Sequence, residues 1–493
     1  MRRTMISTAC LLLLVAASTA AFGAEIPKRP EELVFPDLTF DVPDADALRF
    51  ELADGTPVYA KQDKEFPLVG ISVYFRGGRY LEPEGKEGLT TIASEAWRTG
   101  GAGELTAQEL DEELDFLAAN LGTNIGSDTG SVSLNVLSKD LEAAMSLFMD
   151  VLTKPRFQED RFEKAKENRL QEMRQRNDDA ADIEGREWQR LIYGDDYWMN
   201  RFSTKASVDA LTATDCKEFV TSLVRSGNIV VAVAGDFDLA EMESLLNTTL
   251  GALEPLDEPL PPVPQPDHTP EPGVYVLNKD DVNQGRVSIG HVGYTLGHEN
   301  QFPLQVGNDI LGGGGFTARM MKTIRSDEGL AYGAYAGMNF PVSMPGTFRA
   351  YYQSKSSTCA YAAEIFFELL ESMRTSDPTD EEVRTTKASF VETFPRGFAS
   401  AGQIVGRYAN DELVGRPHSY WTEYRDRVTA VTGADINNAM KMDIDPDKMI
   451  MLVVGNIEEI MAGHPDHDAE LSDFGEIKEL PIRDPLTLEP ITE

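Results

Sequence analysis

The second half of this chain repeats the first. The stretches "ALTATDCKEFVTSLVRSGNIVVAVAGDFD" and "AVTGADINNAMKMDIDPDKMIMLVVGNIE" correspond. Asp215 stands 20 residues before Gly235, as Asp435 does before Gly455, so the offset is 220 in both cases. Upstream, "PRFQEDRFEKAK" matches "PTDEEVRTTKAS", with Pro155 to Lys164 and Pro378 to Lys387 spanning nine residues each. Earlier still, "LVGISVYFRGG" and "GRVSIGHVGYT" read as alternating strands at a similar offset. A chain that carries the same pattern twice folds as two copies of one unit. Between the copies lies "EPLDEPLPPVPQPDHTPEPG", residues 254–273, dense in proline and acidic residues. Such a segment is stiff and extended at about 3 Å per residue, enough to span roughly 50–60 Å.

Each copy reads strand, long helix, helix, strand, helices, strand. In the first, "TAQELDEELDFLAANLG" opens with a capping box from Thr106 to Glu109. Leu110, Leu114, Leu117 and Leu121 then step by 4, 3 and 4, which predicts one buried helical face through residue 121. "SVSLNVLS" alternates at Val132, Leu134 and Val136, the pattern of a half-buried strand. "NIVVAVAG" and "MIMLVVGN" suit central strands. Strands followed by runs of helices give an α+β class. The expected architecture is two homologous halves, each an antiparallel-rich sheet covered by helices on one face, each half itself a duplicated α+β unit. The Pro-rich linker would join them into a clam-like chamber. The boundaries expected are 1–24, 25–253, 254–273 and 274–493, the last ending in an acidic tail.

Residues 1–24 carry the marks of a signal peptide. Arg2 and Arg3 supply the basic start, "ISTACLLLLVAAS" the apolar centre, and small residues near Gly23 or Ala24 the cleavage site. The expectation is an exported protein, periplasmic or extracellular, with no membrane span. Cys216 and Cys359 then remain. Two cysteines are no framework, so a disulfide and two buried free thiols both stand open. The formal net charge of −37 repels nucleic acid and anionic membranes and favours basic peptides or simple solubility.

All six histidines lie at or beyond His268, which excludes a histidine-based zinc site or a catalytic triad built from the first half. The later ones do not gather. His464 and His467 sit in an acidic stretch, His291 on a strand, and His298 and His418 in loop-like contexts. The tetraglycine Gly312–Gly315 is followed by no Walker lysine, so it is a tight turn rather than a phosphate loop. After it comes "FTARMMKTIRSDEGLAYGAYAG", which presents Arg325 and Tyr332 together. A permanently charged planar donor beside a phenol suits the backbone carbonyls of a bound peptide or a developing oxyanion.

Over roughly residues 45–460 the chain resembles the insulinase/pitrilysin-type zinc peptidases, in particular their processing-peptidase branch. The resemblance rests on strand-Gly-Gly-Arg, "EPEGKEGL" with its following helix, and "LGGGGFTARMMKTIRSDEGLAYGAYAG". In that family the helix carries His-x-x-Glu-His, whose histidines share one helical face to hold zinc while the glutamate activates water. Here the matching helix reads "GLTTIASEAWRTGG", with Thr91, Ser94 and Glu95 at those three positions and Glu172 at the distal ligand position. The resemblance therefore implies no zinc bound by this chain. It implies instead that Arg325 and Tyr332 reach a zinc site on a partner, a homologous subunit containing His-x-x-Glu-His, and bind unfolded peptide there; Arg319 takes a structural role. The chain resembles the non-catalytic subunit of bacterial heterodimers of this family. Two rival expectations are a non-hydrolytic peptide-binding or scaffolding homologue, and an independent peptidase with an unusual site around Glu95.

Overall fold

Alternating apolar residues build two six-stranded sheets that are near copies of each other. The computed structural model describes Arg29, Leu33 and residues 39–491; the expected signal peptide at 1–24 lies outside the described residues. In the first sheet the strands are β1 (Arg49–Glu51), β2 (Pro57–Gln62), β3 (Leu68–Arg76), β4 (Asn120–Ile125), β5 (Thr129–Leu137) and β6 (Ile229–Gly235), ordered β1-β2-β6-β3-β5-β4. In the second they are β7 (Gly273–Asn278), β8 (Gln284–Val292), β9 (Ala331–Met338), β10 (Thr347–Lys355), β11 (Ile450–Gly455) and β12 (Ile477–Glu479), ordered β12-β7-β11-β8-β10-β9. The 220-residue offset thus superposes β6 on β11, each the third strand of its sheet. β2 runs parallel to β6 as β7 does to β11, and the remaining inner pairings are antiparallel. Only the outermost strands differ in origin. β1 comes from before β2 and pairs antiparallel with it, whereas β12 comes from the C-terminal end and lies parallel to β7.

Strand parity assigns the faces. In β6, Ile229, Val231 and Val233 join the first-half core, which also takes Trp97, Leu110, Phe148 and Val220 from that half's own helices. In β11, Met451 and Val453 join the second-half core, while Ile450, Leu452 and Val454 point to the opposite face. That opposite face is covered by a helix from the other half. Ala180–Tyr193, from the first half, packs Ile183, Trp188 and Ile192 against β7 and β11. Ala401–Val414, from the second half, lies across β2, β6 and β3.

Each exchanged helix delivers a glutamate into its host. Glu184, 1% exposed, accepts from Arg286 Nε at 2.5 Å, from the Ser288 hydroxyl, and pairs with Arg349 at 3.1 Å. Glu412 accepts from Arg49 Nε and Nη2, both at 2.9 Å, and from the Tyr59 hydroxyl at 2.6 Å. The Arg49 hydrogen bonds hold the Glu412 carboxyl below its ordinary range despite partial burial.

Several expectations change here. Each half is one unit with one sheet, not a duplicated unit, since the duplication lies between the halves. Helices cover both faces of each sheet, because two helices are exchanged. The linker is extended. It is laid along the surface, where Tyr80 donates to the Pro261 carbonyl at 3.1 Å, Tyr197 to that of Pro264 at 2.9 Å and Gln265 to that of Ser343 at 2.6 Å. The helix opening at Thr106 has its capping box but ends at Phe116, not near Leu121. The chain turns at Ala118, whose φ is +48°, and Leu121 points inward from β4 instead. Cys216 and Cys359 are both buried free thiols. Among the described residues no helix is long and apolar enough to cross a membrane.

Candidate functional site

The tetraglycine continues a helix rather than forming a simple turn. Gln301–Asn308 runs into a π-helical turn, Asp309–Gly313, followed by a short 3-10 turn, Gly315–Thr317. A side chain at Gly312 would collide with β9, since its Cβ would stand 2.3 Å from the Ala336 amide nitrogen. The next segment, Met321–Asp327, is again π-helical and carries Arg325. Wide turns of this kind recur where a protein must aim a side chain. The chain then reverses at Gly329, φ +67°, and enters β9.

β9 is the outermost strand of its sheet, and it holds a bulge. Tyr352 of β10 pairs with Ala334 and Ser354 with Ala331, so Tyr332 and Gly333 together face the single residue Gln353. A bulge re-aims the side chain it carries. Tyr332 is 89% exposed. The Arg325 guanidinium carbon lies 5.6 Å from the centre of its ring and 4.7 Å from that of Phe316, itself 74% exposed. The structure thus brings Arg325 and Tyr332 together, and it adds Phe316, which the sequence reading missed. The signal was present: an aromatic residue directly after four glycines. Arg319 has a different task. It forks onto Glu382 at 2.7 and 2.9 Å and reaches Ser372 at 2.8 Å, tying the segment to the Asp380–Thr393 helix and holding the Glu382 carboxyl down to about 2.

A second missed residue is Asp309. Burial alone pushes its carboxyl up to about 6. It lines a cavity of about 270 Å³ together with Phe316, Thr317 and Lys322.

In the first half the positions matching the zinc motif are turned to structural use. Thr91 is exposed on the Leu89–Thr99 helix. The Ser94 hydroxyl accepts from the Ile125 amide at 3.2 Å. Glu95 accepts from Asn168 Nδ2 at 2.6 Å, and Glu172, one turn further along the same helix as Asn168, pairs with Arg169 at 3.0 Å. The two helices therefore meet where the family's ligands meet, but the donor set does not fit zinc. A hydroxyl engaged by a strand, an exposed threonine and two carboxylates tied to an amide and a guanidinium offer no set of neutral imidazoles, and Arg169 brings a fixed positive charge against the last of them. Among the described residues no three His, Cys, Asp or Glu side chains gather around a point that could hold a metal.

Apart from His464 and His467, whose ring centres lie 4.9 Å apart, the histidines are dispersed. His291 is buried and donates from Nδ1 to the Val292 carbonyl at 2.7 Å; burial lowers its pKa. His298 stacks on Tyr294, His418 meets the Tyr59 hydroxyl at 2.8 Å, and His467 stacks on Tyr361.

The profile described as "Insulinase (Peptidase family M16)" matches residues 58–186, and that described as "Peptidase M16 inactive domain" matches residues 210–390. The chain belongs to the insulinase family. Among its relatives, an uncharacterized zinc protease of Mycobacterium leprae is 27% identical over 62% of this chain and 69% of its own length. The non-peptidase homolog YmxG of Helicobacter pylori is 22% identical over 81% of this chain and 92% of its own. A peptidase M16 inactive domain from Pseudomonas fluorescens shares the fold with a TM-score of 0.73 and 22% identity, over 83% of this chain and 97% of that one. The periplasmic protease PqqL of Escherichia coli gives 0.70 at 15% identity, over 86% of this chain but 48% of PqqL. Within the insulinase family, then, this member has no His-x-x-Glu-His at the matched helix and carries the Arg325–Tyr332 pair.

Proposed function

We propose that this chain is the non-catalytic subunit of an exported, two-chain zinc endopeptidase. The observation that carries the reading is an asymmetry: the helix pair that would hold a metal is committed to structural contacts, while Tyr332 stands exposed on the edge strand of a sheet with the half-buried Arg325 beside its ring. The partner is a homologous subunit that contains His-x-x-Glu-His and binds the zinc. This chain binds none. A further point supports the binding of peptide. The outer edge of β9 is unpaired among the described residues, and an extended peptide adds to such an edge through its backbone.

In this arrangement an unfolded peptide lies along β9. Tyr332, re-aimed by the bulge, donates its hydroxyl toward a peptide carbonyl. Arg325, held between two rings, presents its remaining N–H donors to the carbonyl nearest the partner's metal. Donors aimed at charge that develops on such an oxygen lower a barrier by about 3–4 kcal/mol each in favourable cases. The signal pattern of residues 1–24 supports a periplasmic or extracellular location.

The test is reconstitution. The purified chain, a homologue that contains His-x-x-Glu-His, and their mixture are assayed on an unfolded peptide. Cleavage is expected from the mixture alone, and Arg325→Ala should cut it by about a hundredfold while the two chains still co-elute. Normal turnover with Arg325 removed sinks the assignment. A second reading, a non-hydrolytic peptide-binding or scaffolding homologue, is favoured by the name of the Helicobacter relative. It wins if the chain binds peptide and no combination hydrolyses it.

A further inference from the structure

One ring is shared by two features. Phe316 packs on Arg325 and also forms a wall of the cavity of about 270 Å³ at whose side Asp309 sits. The Asp309 carboxylate lies against the glycine loop. A Cβ on Gly314 would stand 3.0 Å from its Oδ2, and one on Gly313 would stand 3.3 Å from its Oδ1. The same positions are also tight against the turn itself, since a Cβ on Gly314 would meet the Asp309 carbonyl oxygen at 2.9 Å and one on Gly313 the Asn308 Nδ2 at 3.1 Å. That carboxylate accepts no hydrogen bond and pairs with no cation among the described residues, and desolvation is the only influence that moves its pKa.

The groups that face it are few. Lys322 comes from the Arg325-bearing segment, Glu381 and Glu382 from the Asp380–Thr393 helix, and Tyr424 from the Ser419–Ala430 helix. Lys322 lines the cavity without forming an ion pair. Glu382 is already spent on Arg319. A single carboxylate cannot hold a metal ion, which requires several ligands. An aromatic wall, threonine hydroxyls from Thr317 and Thr386, and one uncompensated negative charge instead suit a long cationic side chain, whose stem lies on the ring while its head meets the carboxylate.

We propose that this cavity is a subsite for a basic side chain, lysine or arginine, of the peptide gripped at Arg325 and Tyr332, with Asp309 as its counter-charge and Phe316 as its wall. The proposal rests on the peptide-binding reading above and names one chemical preference of that site.

The experiment measures binding of fluorescein-labelled ten-residue peptides to the full chain by anisotropy. The peptides form a series in which one arginine is moved along an otherwise neutral sequence, with glutamine replacing it in the control. At pH 8 the best-placed arginine should bind about tenfold more tightly than its glutamine control, the effect of one charge-assisted contact. Arginine keeps its charge throughout, so the ratio should shrink toward one as the pH falls to 5 and Asp309 takes up a proton. In Asp309→Asn the ratio should be about one at both pH values. The pH series uses the unaltered protein and stands even if the variant fails to fold. Equal binding of arginine and glutamine peptides by the unaltered protein overturns the subsite and leaves the peptide-binding reading intact. A preference that persists in Asp309→Asn overturns the role of Asp309. Absence of binding by every peptide overturns both.

Discussion

Removing the Glu184 carboxylate should loosen the join between the halves more than any surface change. Glu184 is 1% exposed on the exchanged Ala180–Tyr193 helix and meets three groups of the second half: Arg286, Arg349 and Ser288. Breaking a buried ion pair by deleting one partner costs about 3–5 kcal/mol, because the other charge is left without a counter-ion. Here the two arginine side chains are 23% and 27% exposed, so water recovers part of their solvation. The expected cost of Glu184→Ala is therefore at the lower end, about 3 kcal/mol. Glu184→Gln, which keeps the shape and one acceptor, should cost about 1–2 kcal/mol. Urea unfolding followed by tryptophan fluorescence is a suitable assay, because Trp188 lies on the same helix, 4% exposed, with the Arg349 guanidinium 5.2 Å from its ring. Paired with Arg349→Met in a double-mutant cycle, the coupling should exceed about 1 kcal/mol. A loss below about 0.5 kcal/mol for Glu184→Ala, the level of an exposed pair, refutes the idea that this carboxylate pins the exchanged helix.

Phe316→Ala should weaken peptide cleavage by the reconstituted pair about two- to fivefold, matching the loss of an exposed cation–π contact of about 0.5–1 kcal/mol, and should leave pair assembly unchanged on gel filtration. Glu382 is held at about 2 by Arg319, so its contribution to stability is complete above the ordinary carboxylate range and is lost as pH falls through about 2. Glu382→Gln should accordingly flatten the decline of the unfolding midpoint between about pH 4.5 and 2. Burial pushes the Cys216 and Cys359 thiols up to about 12 and about 11. Neither should be alkylated by iodoacetamide at pH 8 until urea is added, as read by peptide mass mapping; rapid labelling of either in the folded chain contradicts their burial.

The repeat was legible because its signals are local. Glycines at 235 and 455 end equivalent strands, Thr106 and Glu109 make a capping box from four consecutive positions, and Val132, Leu134 and Val136 alternate on one pleated surface. The Arg325–Tyr332 pair was legible for a similar reason, since one reversal at Gly329 brings the two together. The helix exchange was not. Periodicity states that a helix has an apolar face but not which sheet will cover it. Ile183, Trp188 and Ile192 would read the same against either sheet. The overrun at Leu121 has the same origin, because a leucine pointing inward from β4 extends the helical spacing by coincidence. Asp309 was missed because an acidic residue in a helix is ordinarily solvated, and only its burial in the folded chain marks it as different.

The exchange of helices also sets an order in time. Once Gly235 completes β6, the first sheet has all its strands, yet the helix that covers its second face begins only at Ala401, well over a hundred residues later. Until that later segment joins the fold, the face goes without its cover. During that interval Val230 and Ala232, buried in the finished protein, have nothing to lie beneath. The first half cannot finish maturing until nearly all of the second has been made.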